Sequence, residues 1–123
     1  MKKVLYIDDD KVLLERFESK IRESFPDIEP ITCSDPVRAL ALIDPSLDLL
    51  LFDLEMPMMD GKKLMSFARE RGVDKRKIII ISSREADYLH DLIPMGDCLC
   101  VLNKHEVRQQ AVLEMILSSI ARK

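Results

Sequence analysis

At 123 residues the chain has room for one domain with its own apolar core and none for an added catalytic domain. Its 47% hydrophobic and 33% charged residues exclude both disorder and a repeat polymer. With 19 basic against 22 acidic side chains, a net charge of −3, the composition argues against the basic face of a nucleic-acid binder. The odd set Cys33, Cys98 and Cys100 cannot pair fully within one chain, which points to a reducing cytoplasm. Asp8, Asp9 and Asp10 cut short the apolar run behind the N-terminal lysines, so no signal peptide is read there. No apolar stretch approaches the roughly 20 residues that span a bilayer, and the sequence predicts a soluble protein without a membrane partner.

In chain order, the apolar run at residues 4–7 predicts a first strand, and Leu14, Phe17 and Ile21, at i, i+3 and i+7, predict the buried stripe of a helix. Residues 30–33 predict a second strand, after which Asp35 before Pro36 has the form of an N-cap with proline at the first helical position. A third strand is expected at 49–52, then a helix from near Gly61 that Gly72 closes. The isoleucine run 78–81 predicts a fourth strand and residues 98–102 a fifth. Leu113, Ile116, Leu117 and Ile120 mark the inner face of the last helix. Continuous apolar strands alternating with helices predict an α/β fold, a doubly wound five-stranded parallel sheet flanked by five helices, formed by residues 1–123 as one domain. In such sheets ligands gather beyond the carboxyl ends of the strands, where the winding reverses.

Asp8 and Asp9 follow the first strand, Asp53 the third, Ser82 the fourth and Lys104 the fifth, so all fall on that one edge. Three converging carboxylates repel strongly unless a cation sits among them. Oxygen donors without His or Cys select a hard ion, and few carboxylates with room for water and phosphate favour Mg²⁺. An ionised carboxylate beside a metal and an ammonium is equipped to take a phosphoryl group without a general base, and Asp53 is the candidate nucleophile. Gly61, Gly72 and Gly96 lie too far apart for a phosphate-cradling loop, which argues against a nucleotide cofactor.

Residues 4–10, 51–61, 78–83 and 102–104 together make the chain resemble the receiver domain of two-component response regulators (CheY-like, with a flavodoxin-like fold) over essentially its whole length. The resemblance implies Asp53 as phospho-acceptor, Asp8 and Asp9 as the acidic pair holding Mg²⁺, and the backbone carbonyl of Glu55 as a further ligand. It implies that Ser82 supplies the hydroxyl that moves onto the phosphoryl group and that Lys104 binds that group. The implied donor is a phosphohistidine on a sensor histidine kinase or histidine phosphotransfer protein. The implied output is a downstream protein effector met through the fourth helix, fifth strand and last helix. Such a chain is no enzyme beyond gaining and losing its own phosphoryl group. Two residues depart from the family pattern. His105 stands where proline usually follows the lysine, so a trans peptide with Lys104 slightly displaced is expected, a non-proline cis bond costing about 2.5–4 kcal/mol. Val101 stands where an aromatic ring often couples to the hydroxyl. Glu55 and Arg84, two residues beyond Asp53 and Ser82, are candidates to pair with each other.

Plainer readings compete for several of these residues. Ser82 with Glu85 matches a capping box, Asp8 and Asp9 match turn acids ahead of a helix, and Asp60-Gly61 matches a turn and helix start. Cys98 and Cys100, two apart on a strand and so expected on one side, invite a zinc site with His90 and His105, against which stands their place in a buried strand. The basic run from Arg69 to Lys77 reads as a solvated helix end and loop. Tyr88, Leu89, Leu92, Ile93 and Met95 exceed what one buried helix face requires, leaving open extra burial or a docking surface. Two rival functions remain. One is a degenerate receiver serving as a constitutive adaptor, motivated by Val101 and His105. The other is a haloacid-dehalogenase-type phosphatase built on Asp53 and Glu55.

Overall fold

The computed structural model describes the backbone of residues 1–123 and every side chain except those of Ala86, Asp87 and His90. Strand β1 (Lys2–Ile7) leads into α1 (Lys11–Ser24), β2 (Ile28–Cys33) and α2 (Pro36–Ala39), the last continuing as a 3₁₀ turn at Leu40–Leu42. Then follow β3 (Leu49–Asp53), α3 (Gly61–Glu70), β4 (Ile78–Ser82), α4 (Ala86–Leu92), β5 (Cys100–Asn103) and α5 (Val107–Ala121). The expected fold class is found, although the second of the five helices is only one α-helical turn. All strands are parallel, in the order β2-β1-β3-β4-β5. The winding therefore reverses between β1 and β3, and a crevice opens between their carboxyl ends.

The apolar strands divide their side chains between two faces with the two-residue period of a pleated strand. Leu5, Ile7, Leu50, Phe52, Ile78 and Ile80 face α2, α3 and α4, while Val4, Tyr6, Leu49, Leu51, Ile79 and Ile81 face α1 and α5. Burial on both faces is why these strands read as unbroken hydrophobic runs, each large side chain contributing about 1.5–3 kcal/mol. The starts of α1, α2 and α3 are fixed by aspartates: Asp10 accepts from the Val12 and Leu13 N–H groups, Asp35 from Val37 and Arg38, and Asp60 from Lys63. Gly72, at φ 93°, takes the left-handed turn beyond α3. Among the described residues, no helix is long and apolar enough to cross a membrane.

Strands β1, β2 and β3 run a little longer than the expected 4–7, 30–33 and 49–52, and several competing readings are decided. No capping box forms at Ser82 and Glu85, because α4 starts at Ala86 with Glu85 as an N-cap lacking a side-chain bond, and the Ser82 hydroxyl is engaged elsewhere. The fifth strand begins at Cys100, not 98, so the two cysteines lose the alternation of one strand. Cys98 packs with the α2–α3–α4 side and Cys100 with the α1–α5 side. Burial pushes the Cys98 thiol up and that of Cys100 up to about 11, and it is their placement on opposite sides of the sheet that stands against a zinc ion shared between them. His90, the other candidate ligand, lies outside the described side chains. The apolar segment is divided between both readings, and α4 ends at Leu92 short of its last two members: Leu89 and Ile93 are core, whereas Tyr88 and Met95 are exposed.

Candidate functional site

The crevice is lined from four strand ends. Asp8, at the end of β1, is fully buried: its Oδ1 accepts the Asp10 N–H at 2.9 Å, and its Oδ2 accepts the Tyr6 hydroxyl at 2.6 Å. Asp53, the last residue of β3, is 2% exposed and accepts the Glu55 N–H at 3.3 Å. Lys104 hangs from the end of β5 by a 2.8 Å bond from its N–H to the Ser82 carbonyl. Its ammonium lies between the two carboxylates, 2.8 Å from Asp8 Oδ2 and 3.2 Å from Asp53 Oδ1. Every peptide bond is trans, that between Lys104 and His105 included, and the trans bond does not carry the ammonium out of the crevice.

One oxygen each from Asp8, Asp9 and Asp53 lies within 4.8 Å of the others, with Asp9 the solvent-exposed member. Three carboxylates face one ammonium, and the mismatch shows in their protonation. Burial, then the Asp8 charge, pushes the Asp53 carboxyl up to about 7, with Lys104 opposing. Lys104 is driven down by burial, but Asp8 and Asp53 outweigh that and hold it above its ordinary value. Burial and the neighbouring Asp8 likewise lift the Tyr6 hydroxyl, which stays a hydrogen donor. Carboxylate oxygens alone, in excess of local positive charge, fit a hard divalent ion such as Mg²⁺. The open hollow above them, about 350 Å³, is lined by Asp9, Asp53, Glu55, Ser83, Lys104 and His105 among others.

Asp8, Asp9, Asp53 and Lys104 are thus brought together, whereas Ser82 and the Glu55 side chain face each other instead. The buried Ser82 hydroxyl donates to Glu55 Oε1 at 2.7 Å and accepts the Arg84 N–H at 3.0 Å; its neighbour Ser83 lines the hollow. Arg84 Nε donates to Glu55 Oε2 at 2.7 Å, so the two candidate partners do pair. Burial raises the Glu55 carboxyl, but bonds from Arg84 and Ser82 prevail and hold it below the usual range. Glu55 meets Asp53 through its backbone N–H and lines the hollow beside it.

The parts played by three residues escaped the sequence reading. Tyr6 shares a strand face with Asp8, two residues on, and that spacing was the available signal. Asn103 shapes the β5–α5 turn, its Oδ1 accepting the His105 and Glu106 N–H groups and its Nδ2 donating to the Arg84 carbonyl. Gly61 lets α3 close on strand β3, since a Cβ there would lie 2.7 Å from the Asp53 carbonyl oxygen.

The response regulator receiver domain family matches this sequence over residues 4–115. A protein-glutamate methylesterase/protein-glutamine glutaminase 3 of Geobacter sulfurreducens is 36% identical over 90 residues, 71% of this chain but only 24% of that relative's length. The Francisella response regulator 1452 receiver domain superposes with a TM-score of 0.78 at 23% identity, covering 99% of this chain and 98% of that one. Thermotoga maritima response regulator TrrA, solved in complex with Mg²⁺-BeF, gives 0.76 at 22% identity, covering 98% and 99%.

Proposed function

Because the chain belongs to the response regulator receiver domain family, we propose that it accepts a phosphoryl group on Asp53 from a phosphohistidine of a sensor histidine kinase or histidine phosphotransfer protein. The observation that carries this reading is a buried Asp53 carboxylate within 3.2 Å of Lys104 and within 4.8 Å of two further acids. Asp8, Asp9, Asp53 and the Glu55 backbone carbonyl are the groups to hold Mg²⁺, which when bound would neutralise phosphoryl oxygens and offset the mutual repulsion of the acids.

The chain's own part follows from its charges. Lys104 favours the ionised form of Asp53 against burial, keeping a nucleophile in place. A carboxylate oxygen forms a bond to phosphorus, the phosphorus–nitrogen bond to the donor imidazole breaks, and its electron pair stays on the imidazole nitrogen. Lys104 then meets the phosphoryl oxygens at a site that Asp8 and Tyr6 keep in register. The hollow above Asp53 opens to solvent, as a protein donor requires. Output would pass to a downstream effector through the outer face of α4, β5 and α5, where Tyr88, Val107, Val112 and Met115 are exposed. Residues 1–123 would act as one phosphoacceptor unit, catalysing only the gain and loss of its own phosphoryl group.

Intact mass after incubation with Mg²⁺ and a small acyl phosphate tests this. One phosphoryl adduct, absent from Asp53→Asn, is expected. No adduct would favour the constitutive adaptor, and steady release of inorganic phosphate would favour the phosphatase. Against the latter stands Glu55, the would-be second acid, whose carboxylate is already bound by Ser82 and Arg84.

A further inference from the structure

Ser82 has one hydroxyl proton to give. Here it goes to Glu55 Oε1, while the Arg84 N–H fills the acceptor side of the same oxygen. A hydroxyl so committed donates nothing to a group on Asp53. Glu55 spends its second oxygen on the Arg84 guanidinium, whose carbon lies 5.0 Å over the Tyr88 ring. Tyr88 is 46% exposed on the outer side of α4. One carboxylate beside Asp53 thus links the site hydroxyl to an aromatic on the surface, through Ser82, Glu55, Arg84 and Tyr88. A phosphoryl group on Asp53 would bring a charge of about −1.5 to −2 into the hollow that Glu55 lines. It would repel Glu55 and compete for both of its donors.

We infer that Glu55 is a positioning residue that withholds the Ser82 hydroxyl in the resting chain, and that its displacement by the phosphoryl group frees Arg84 from its seat and so alters the Tyr88 surface. The inference rests on Asp53 as phospho-acceptor. It deepens that reading by naming the contact that opposes the switched arrangement and the residue that reports its loss. Val101, which has no ring to move, leaves strand β5 without an aromatic relay, whereas this route runs from the end of β4 through Glu55 of the β3–α3 loop and Arg84 of the β4–α4 loop to α4.

Nitrogen-15 and aromatic-carbon NMR of the full chain test the two halves separately. In the resting protein, Glu55→Ala is expected to move the Arg84 Nε–H resonance to its solvent-exposed position and to shift the Tyr88 ring signals. Unchanged signals would overturn the hold. With Mg²⁺ and acyl phosphate, the wild-type adduct should produce the same two shifts. Glu55→Ala should gain its adduct about fivefold faster than wild type, a single contested contact between partly exposed groups being worth no more. Glu55→Gln, which keeps an acceptor for Ser82 but loses the negative charge that holds Arg84, should fall between. An adduct that leaves Arg84 and Tyr88 unmoved, or Glu55→Ala reacting no faster, overturns the release step while leaving Asp53 the acceptor. Absence of any adduct overturns the functional reading and the release step with it, and the resting spectra still decide the hold. Arg84→Ala, altered at a half-exposed side chain, repeats the test from the other partner.

Discussion

The two ends of the sheet carry similar residue types to opposite effect. At the amino ends of the strands lies a larger hollow, about 570 Å³, with Lys2, Asp48, Asp74, Arg76 and Lys77 in its walls. Its charges are settled locally: Arg76 pairs with Asp74 at 2.8 Å, and Asp48 accepts the Lys3 N–H at 2.8 Å. At the carboxyl ends the hollow is smaller, yet buried Asp8 and Asp53 share one ammonium and Asp53 is pushed up to about 7. Unbalanced buried charge, more than volume, distinguishes a place where chemistry is done. A fold that maximised stability alone would have neutralised that end.

Removing the ammonium should break the comparison most severely. Lys104→Met leaves two buried carboxylates facing each other and is expected to cost about 3–5 kcal/mol in urea unfolding at pH 8 without metal. Next comes Gly61→Ala, whose methyl meets the Asp53 carbonyl at 2.7 Å and the Leu54 Cα at 2.9 Å. The backbone shift should cost about 1–3 kcal/mol and weaken adduct formation, since the acceptor strand end itself must move.

Asp53→Asn should act in the other direction. The folded chain holds this proton up to about pH 7, against an ordinary carboxyl value of 3.8. Between those values the native state binds more protons than the unfolded state, so metal-free stability falls as pH rises through the window and is flat above it. The variant should therefore be more stable than wild type by about 1–3 kcal/mol at pH 8, the gain fading toward pH 4. Mg²⁺ should restore wild type and leave the variant unmoved. At the amino end, Arg76→Ala should leave the urea midpoint unchanged, its pair lying on the surface.

Most of this architecture was legible in the chain. Asp8, Asp9, Asp53 and Lys104 could be placed on one edge because parallel strands alternating with helices bring every strand's carboxyl end to the same side. Strand limits were less so: Lys2 and Lys3 join β1 through pairing with Ile28 and Glu29, which hydropathy does not report. Side-chain direction was hardest. Ser82 and Glu85 have the spacing of a capping box, but a carboxylate 27 residues away in sequence wins the hydroxyl, and no local pattern contains that competition. Cys98 departs from strand alternation for a similar reason, since β5 starts only where pairing with Ile79 does.

Calorimetric titration with Mg²⁺ at pH 8 tests the central claim most directly, that the carboxyl-end charges are crowded for the sake of a divalent ion. The account predicts one binding event per chain, abolished by Asp53→Asn and retained by Arg76→Ala. No heat in the wild type, or equal binding in the Asp53 variant, would contradict it.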